Sequence, residues 1–161
     1  MSKALNSLVD RVRAAREAHT PLAIRGAGTK SFYGEAIRGA TLDTRELSGI
    51  SSYEPSELVL TARAGTPLAD VEAALAERGQ CLPFEPPRYP DPERPGQRGG
   101  TIGGVVAAGL AGPARAAVGN VRDFVLGATL LNGRAEVLSF GGQVMKNVAG
   151  YDVSRALAGS L

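Results

Sequence analysis

The sequence predicts an α+β fold in two subdomains, a small α/β layer followed by a part built on an antiparallel sheet. Helical and strand-like patterns alternate over the first half of the chain. Six of the ten prolines lie between Pro83 and Pro95 and mark a break. A hairpin pattern follows at residues 124–142. The expected division is subdomain one at 1–84, a proline-rich connector or lid at 85–98, and subdomain two at 99–161.

An amphipathic helix is predicted at the start of the chain. Leu5, Leu8, Val9 and Val12 recur at helical spacing, which places them on one face of a helix docked on a core. The stretch lacks the continuous apolar region of a signal peptide. Acidic residues within it disfavour an organellar transit peptide.

Three short strands are predicted next, at residues 22–25, 40–44 and 57–65. The first is an apolar run, and the third places Leu58 and Leu60 on one face. Helices between strands such as these are typical of a small α/β layer.

A well-marked helix follows the third strand. Thr66 is its predicted N-cap, Pro67 occupies the first helical position, and Gly79 ends it. Residues 80–84 (QCLPF) are then expected to form another strand.

The second half differs in character. Residues 101–112 (TIGGVVAAGLAG) are small and predict a tight helical turn pressed against a neighbour. Asn132-Gly133 fits a two-residue type I′ turn within the predicted hairpin. A last helix is expected to begin near Asp152 or Ser154.

Composition excludes several classes of protein. The 161 residues are 43% hydrophobic with a net charge of +2, which is typical of a globular chain and too mild to indicate nucleic-acid binding. The sequence contains no run of 18 apolar residues, so no transmembrane helix is predicted. The single Cys81 excludes an internal disulfide and a cysteine-based metal cage, and it fits a reducing compartment.

Glycine is the informative residue type. The chain has 21 glycines without a fixed period, an excess that indicates backbone packed closely against something, such as a cofactor. The stretch PLAIRGAGTKSFYG, residues 21–34, resembles a phosphate-binding loop. A P-loop would need glycines where Ile24 and Thr29 stand, and a Rossmann loop would need a helix directly after it. A glycine nest for a diphosphate and a plain turn both remain open from this stretch alone.

Longer segments carry a resemblance to a known family. Read in order, they resemble the FAD-binding, PCMH-type domain of the vanillyl-alcohol oxidase / p-cresol methylhydroxylase flavoproteins. Within that family they are most similar to the FAD-binding subunits of bacterial glycolate oxidases. The segments are RGAGTKSFYG, VLTARAGTPLADVEAALAERGQCLPFEPP, GGTIGGVVAAGLAGPARAAVGNVRDFVLG and GGQVMKNVAGYDVSRALAGS.

The resemblance implies a set of FAD-binding residues. The first loop would grip the FAD diphosphate, the GGTIGG segment would line the opposite wall, and Pro86 would lie near the flavin edge. Later residues would surround the cofactor and close the site. The set comprises Arg25, Gly26, Ala27, Gly28, Thr29, Lys30, Pro86, Gly99, Gly100, Thr101, Gly103, Gly104, Arg115, Gly119, Asn120, Arg122, Lys146, Gly150 and Tyr151.

Other side chains are expected to have structural roles. Asp123 would order its loop by hydrogen bonds, and Cys81 would be a small buried residue rather than a nucleophile. His19, the single histidine, lies outside every matching segment, so we expect non-covalent FAD. No catalytic residue and no metal ligand is predicted.

The resemblance also implies an activity. It is oxidation of glycolate to glyoxylate by an FAD-dependent oxidoreductase, with electrons passing through FAD to an iron–sulfur subunit beside a sister FAD subunit. Two alternatives stay open: a non-catalytic FAD-holding or assembly module of that complex, and a related enzyme acting on D-lactate, another 2-hydroxy acid or a cell-wall precursor. The expected location is cytoplasmic, or peripheral at the inner membrane through partners. Relatives continue into a substrate-covering domain, so the second subdomain is expected to be incomplete.

Overall fold

The computed structural model describes residues 2–35, 38–142 and 152–160. It confirms a mixed fold of helices and small sheets. The helices and strands follow the chain in this order: α1 Lys3–Glu17, β1 Leu22–Arg25, β2 Ala40–Asp43, β3 Ile50–Glu54, a 3₁₀ turn Pro55–Glu57, β4 Val59–Ala62, α2 Leu68–Ala76, β5 Tyr89–Pro90, β6 Arg98–Gly99, α3 Ile102–Ala108, α4 Arg115–Val118, a 3₁₀ turn Val121–Asp123, β7 Gly127–Leu131, β8 Val137–Gly141 and α5 Val153–Ala156.

Helix α1 covers one face of the first sheet. Its buried Leu8 and Val12 pack with Leu42 of β2 in one of the two apolar clusters, as the helical spacing predicts. Strands β1 and β2 are parallel, and their register places Arg25 beside Asp43. The carboxyl ends of both strands therefore lie together, at the point where the glycine-containing loop leaves β1.

A strand missing from the sequence analysis pairs with β4. Strand β3 runs antiparallel to β4, with an irregularity between Ile50 and Ser52. An extra residue in one strand breaks the alternation that sequence patterns detect, which is why β3 was not expected. The strand predicted at 57–65 is shorter, because residues 55–57 form a 3₁₀ turn.

The predicted N-cap of α2 is wrong. Helix α2 begins at Leu68, and Pro67 holds the cap position without a side-chain hydrogen bond. Thr66 is buried, and its Oγ1 donates to the carbonyl of Arg63 (2.6 Å) and accepts from the amide of Gly49 (3.0 Å). The hydroxyl thus ties the approach of α2 to the turn between β2 and β3. Gly79, at φ +66°, follows the helix end as expected.

Residues 80–84 do not form the expected strand. Leu82 and Phe84 alternate as strand residues would, but no neighbouring strand pairs with them in the described part of the chain. They pack instead in the larger apolar cluster, in which Phe84 contacts side chains from α2, α3 and the last 3₁₀ turn. The buried members are Leu68, Phe84, Val105, Ala111 and Val121.

The hairpin β7–β8 is confirmed, but its turn is not the predicted two-residue type I′. Leu131 pairs with Val137, and Ala135, rather than Gly133, has the positive φ of +62°. Asn132 Oδ1 accepts from the amides of Arg134 (2.9 Å) and Glu136 (3.0 Å). These hydrogen bonds favour a longer turn, in which the backbone amide of Asn132 also donates to the carbonyl of Glu136 (3.0 Å).

The proline-rich segment contains a small hairpin in place of a simple connector. Strands β5 and β6 pair antiparallel, and the amide of Asp91 donates to the carbonyl of Gln97 (2.9 Å) between them. Both apolar clusters combine side chains from before and after this segment. The division into two subdomains remains a prediction. Near the C-terminus, α5 begins after Asp152, whose Oδ1 accepts from the amide of Arg155 (3.1 Å), as expected.

Replacing Leu68 by alanine tests the larger cluster. Leu68 is 2% exposed, so Leu68→Ala should lower the free energy of unfolding by about 2–5 kcal/mol, measured by urea denaturation. Leu58→Ala is the control, because Leu58 is 77% exposed and should change the value by less than about 0.5 kcal/mol. Equal effects of the two substitutions would contradict the assignment of Leu68 to the core.

Candidate functional site

The glycine loop, residues 25–30, leaves the end of β1 at a fixed point. The amide and Oγ1 of Thr44 both donate to the carbonyl of Arg25, at 2.9 and 3.2 Å. Beyond the loop, the amide and Oγ of Ser31 both reach the carbonyl of Gly28, at 3.3 and 2.8 Å. The loop is therefore pinned where it starts and closed by a tight turn where it ends.

The amides of the glycine loop are unusual because they lack internal acceptors. None of the backbone N–H groups of residues 26–30 donates a hydrogen bond to another described residue. Gly28 has φ +71°, a conformation that L residues rarely adopt. Successive free amides in such a turn form a nest that binds anions, and phosphate groups in particular.

The side chain of Arg25 lies against the glycine loop. A Cβ built on Gly28 would stand 2.6 Å from Nε of Arg25, so only glycine leaves room for the guanidinium there. Nη2 of Arg25 forms an ion pair with Glu93 at 2.9 Å. Nε of Arg25 is buried and has no partner among the described residues. An unpaired buried donor beside an anion-binding turn fits a site for a charged ligand.

Thr29 and Lys30 complete the loop. Thr29 is buried, and Lys30 is half-buried with no ion pair in the described part of the chain. Burial lowers the pKa of Lys30 below its ordinary value, because desolvation disfavours the charged ammonium. A bound anion would supply the missing counter-charge.

The GGTIGG segment, residues 99–104, lies against the glycine loop. A Cβ built on Gly26 would lie 2.5 Å from Oγ1 of Thr101, and one on Gly100 would lie 3.2 Å from Oγ1 of Thr29. Thr101 also caps α3 by accepting from the amide of Gly104 (3.3 Å). Two segments that are far apart in sequence thus meet, and we call the surface where residues 25–30 meet residues 99–104 the cleft.

The first amides of α3 are already occupied by protein acceptors. The amide of Ile102 donates to the carbonyl of Thr66 (2.9 Å), and that of Gly103 to the carbonyl of Ala64 (2.8 Å). A Cβ on Gly103 would lie 2.8 Å from both Cβ and O of Ala64. Gly103 therefore allows close contact with the chain before α2, and the free amides of the cleft belong to the glycine loop.

The remaining predicted residues lie in other positions. Pro86 is buried and lines a cavity of about 390 Å³ together with Phe84 and Cys81. Cys81 is exposed, contrary to expectation. Arg115 and Arg122 are exposed on the α4 region.

The loop between Arg115 and Arg122 is held by its own hydrogen bonds. Oδ2 of Asp123 accepts from the amide of Asn120 (2.7 Å), which is the ordering role expected for Asp123. A Cβ on Gly119, at φ +99°, would meet the same carboxylate at 2.9 Å. Val121 anchors the loop in the larger apolar cluster. Three other predicted site residues, Lys146, Gly150 and Tyr151, lie outside the described residues.

A network of charged side chains beside the glycine loop was not predicted from the sequence. Arg45 pairs with both Asp43 and Glu93, and Glu93 also reaches Arg25. Side-chain hydrogen bonds from Arg45 lower the pKa of Asp43, and the two carboxylates raise that of Arg45. The only sequence signal was the presence of charges within a proline-rich segment.

Comparison with known proteins identifies the class. A family model described as "FAD binding domain" matches residues 3–141, and the chain belongs to this family. FAD is thus confirmed as the cofactor, and the free amides, the unpaired Nε of Arg25 and the uncompensated Lys30 fit its diphosphate. The relatives that match this chain include proteins described as D-lactate dehydrogenases and as FAD-linked oxidoreductases.

Individual proteins of known name are similar to this chain over most of its length. The chain is 51% identical to glycolate oxidase subunit GlcE of Escherichia coli, covering 96% of this chain and 42% of that protein. It is 30% identical to a D-lactate dehydrogenase of Archaeoglobus fulgidus, over 91% of this chain and 31% of that protein. An alkyldihydroxyacetonephosphate synthase structure has the same fold, with a TM-score of 0.68, 17% identity, and coverage of 96% and 27%. The chain therefore spans less than half the length of these relatives.

Gly28→Ala should weaken FAD binding. The added methyl group would displace the guanidinium of Arg25 and favour a loop without the nest, so we expect a rise of about tenfold in the Kd for FAD, measured by quenching of flavin fluorescence. Gly34→Ala is the matched control, because Gly34 has φ +82° but no neighbour within 4 Å of its Cβ position. If both variants bind FAD equally, the collision with Arg25 has no role in the site.

The pH dependence of FAD binding should report on Lys30. The pKa of Lys30 is lowered in the free protein, and a bound diphosphate would raise it again, so binding takes up a proton near that pKa. Affinity should be highest below the free-state pKa of Lys30 and should fall by about tenfold as the pH rises through that pKa. Lys30→Gln should bind FAD more weakly at neutral pH and lose this dependence. An unchanged pH profile in the variant would exclude Lys30 as the group responsible.

Proposed function

We propose that this chain is the FAD-binding part of an enzyme that oxidises glycolate to glyoxylate. The observation that carries the proposal is the 51% identity to glycolate oxidase subunit GlcE over 96% of the chain. The D-lactate dehydrogenase of A. fulgidus aligns over a similar share of the chain with only 30% identity. The difference favours glycolate over D-lactate as the substrate.

The described residues support a specific division of labour around the cofactor. The glycine loop would bind the diphosphate through its free amides and Lys30, and Gly99, Gly100 and Thr101 would close the cleft from the other side. FAD supplies the redox chemistry when bound, by accepting two electrons from the substrate. The chain's own residues bind and orient it. The further residues that we propose to surround or close the site are Pro86, Gly103, Gly104, Arg115, Gly119, Asn120, Arg122, Lys146, Gly150 and Tyr151.

We propose that FAD is held non-covalently, and the positions of His19 and Cys81 support this. His19 is exposed directly after α1, at φ +53°, and belongs to neither wall of the cleft. Cys81 lies beside α2, on the cavity that contains Pro86. The cleft itself is lined by glycine backbone and by threonine and lysine side chains, which would hold phosphate by hydrogen bonds and charge.

The partners and location are part of the same proposal. We propose a sister FAD subunit and an iron–sulfur subunit that receives the electrons; the relative's description as a subunit supports an assembly of several chains. We place the protein in the cytoplasm or at the inner membrane through those partners. Among the helices that the structure describes, none is long and apolar enough to cross a membrane.

A second candidate function is an FAD-holding or assembly module without its own catalysis. The carboxylates nearest the glycine loop, Asp43 and Glu93, are both engaged by arginines, so neither is available as a general base. The base or the anchor for the substrate would then come from the rest of a longer protein or from a partner subunit.

A chimera separates these functions. This chain can replace the aligned segment of E. coli GlcE. The assembled complex should then still reduce the dye when glycolate is the substrate, whereas the rate of dye reduction with D-lactate should not exceed background. The isolated chain, loaded with FAD, should show little turnover of either acid. Glycolate oxidation by the isolated chain would reject the assembly-module function, and a chimera that prefers D-lactate would overturn glycolate as the substrate. Gly28→Ala in the chimera provides the FAD-deficient control.

A further inference from the structure

The small hairpin of the proline-rich segment lies against the glycine loop. We call residues 89–99 the strap: two short strands, β5 and β6, joined by a turn that carries Asp91 and Glu93. The turn is well ordered by its own hydrogen bonds, since Oδ1 of Asp91 accepts from the amide of Glu93 (2.9 Å). Glu93 thus lies in the turn between the two strands of the strap.

The first contact between the strap and the glycine loop is ionic. Glu93 binds Nη2 of Arg25 at 2.9 Å and also Nη1 of Arg45. Arg45 in turn holds Asp43 with Nε (2.9 Å) and Nη2 (2.5 Å). Because Arg25 and Asp43 end the parallel strands β1 and β2, the network joins the strap to the ends of both strands.

Two further contacts place the strap on either side of the loop. The rings of Phe32 and Tyr89 meet edge to face, with centroids 4.8 Å apart. At the other end of the strap, the chain passes directly into Gly100, whose Cβ position lies 3.2 Å from Oγ1 of Thr29 and 3.6 Å from Nζ of Lys30. The strap therefore contacts the segment 25–32 through an ion pair and an aromatic pair. The backbone directly after the strap, at Gly100, lies close to Thr29 and Lys30.

The charges of the network balance. Arg25 and Arg45 are matched by Asp43 and Glu93, so the four side chains together are neutral. Lys30 and the free amides of the loop remain as the uncompensated positive groups. Because the four side chains are neutral together, they can hold the Arg25 guanidinium beside Gly28 without attracting an anionic ligand away from Lys30.

We infer that the strap is the outer wall of the diphosphate site and that Glu93 is its positioning residue, holding the Arg25 guanidinium under the glycine loop. The inference rests on the proposed placement of the FAD diphosphate at this loop. Glu93 acts through Arg25 and touches no part of the cofactor itself. Without this carboxylate, Arg25 loses its ion pair, and its guanidinium is no longer held beside Gly28.

The opposite role for Glu93 predicts an effect of the opposite sign. If the carboxylate competed with phosphate for Arg25, its removal would free a cation and strengthen FAD binding. If it positions Arg25, its removal weakens FAD binding. The sign of the change in affinity decides between them.

The test compares Glu93→Gln with Glu93→Asp and with Glu72→Gln. Glu72→Gln is the matched control, because it removes the Arg88–Glu72 ion pair (2.5 Å), which holds the same proline-rich segment on α2 instead of on the glycine loop. The measurements are the Kd for FAD and for riboflavin, which lacks the diphosphate, and the rate of trypsin cleavage after Arg88 and Arg98. Thermal unfolding followed by circular dichroism checks that each variant is folded.

Glu93→Gln should raise the Kd for FAD about two- to fivefold, as expected for a partly exposed ion pair, and leave that for riboflavin unchanged. Trypsin should cut the strap faster in this variant, even without FAD. Glu93→Asp should restore part of the affinity, and Glu72→Gln should bind FAD as the unchanged chain does.

Three results would overturn the inference. Tighter FAD binding by Glu93→Gln would make the carboxylate a competitor. If a folded Glu93→Gln variant bound FAD as tightly as the unchanged chain, the strap would not be part of the site. That result would not contradict FAD binding at the glycine loop. Failure of the unchanged chain to bind FAD would refute the placement of the diphosphate itself, and the inference with it.

Discussion

The approach of residues 100–103 to residues 64–68 is the contact on which the cleft depends. Three backbone hydrogen bonds of 2.8–2.9 Å join the two segments: Leu68 to Gly100, Ile102 to Thr66, and Gly103 to Ala64. They fix the starts of α2 and α3 side by side across the proline-rich segment. Only glycine at 103 permits this distance. Thr101 and Gly100 are consequently held against the glycine loop, so the second wall of the cofactor site is set by contacts that do not involve the cofactor.

The glycine excess therefore has two causes, of which cofactor binding is only one. Gly28 adopts a positive φ within an anion-binding turn. Gly103 and Gly112 instead let one stretch of backbone touch another, Gly103 at Ala64 and Gly112 at the carbonyl of Glu85. A small domain with short strands must join its elements through such contacts, because long ladders are not available to hold them. The composition that suggested a cofactor is thus partly the signature of close backbone packing.

The sequence predicted local features well and tertiary features poorly. Helix α1, the strand β1 and the hairpin were predictable because periodicity and turn residues act within a few positions. The turn of the hairpin was predicted wrongly because the side chain of Asn132 accepts from the amides of Arg134 and Glu136 and so stabilises a longer turn. Residues 80–84 alternate like a strand, yet only a neighbouring strand could have made them one.

The same distinction applies to the site. The glycine loop could be named as a candidate because its glycines and its preceding strand are adjacent in the chain, although this stretch alone left a plain turn open. The strap could not, because Arg45 and Glu93 are 48 positions apart and charged residues in a proline-rich segment carry no signal of what they contact. The sequence also gave no way to separate Arg25 from Lys30, since both are cations beside the same glycines. The fold separates them: Arg25 is neutralised by Glu93, whereas Lys30 is half-buried without an ion pair among the described residues. An anion that binds at the cleft gains most from a cation that has no counter-ion among the described residues and that burial has already partly desolvated. We therefore propose Lys30 as the main charged contact for the diphosphate and Arg25 as a support beside the loop.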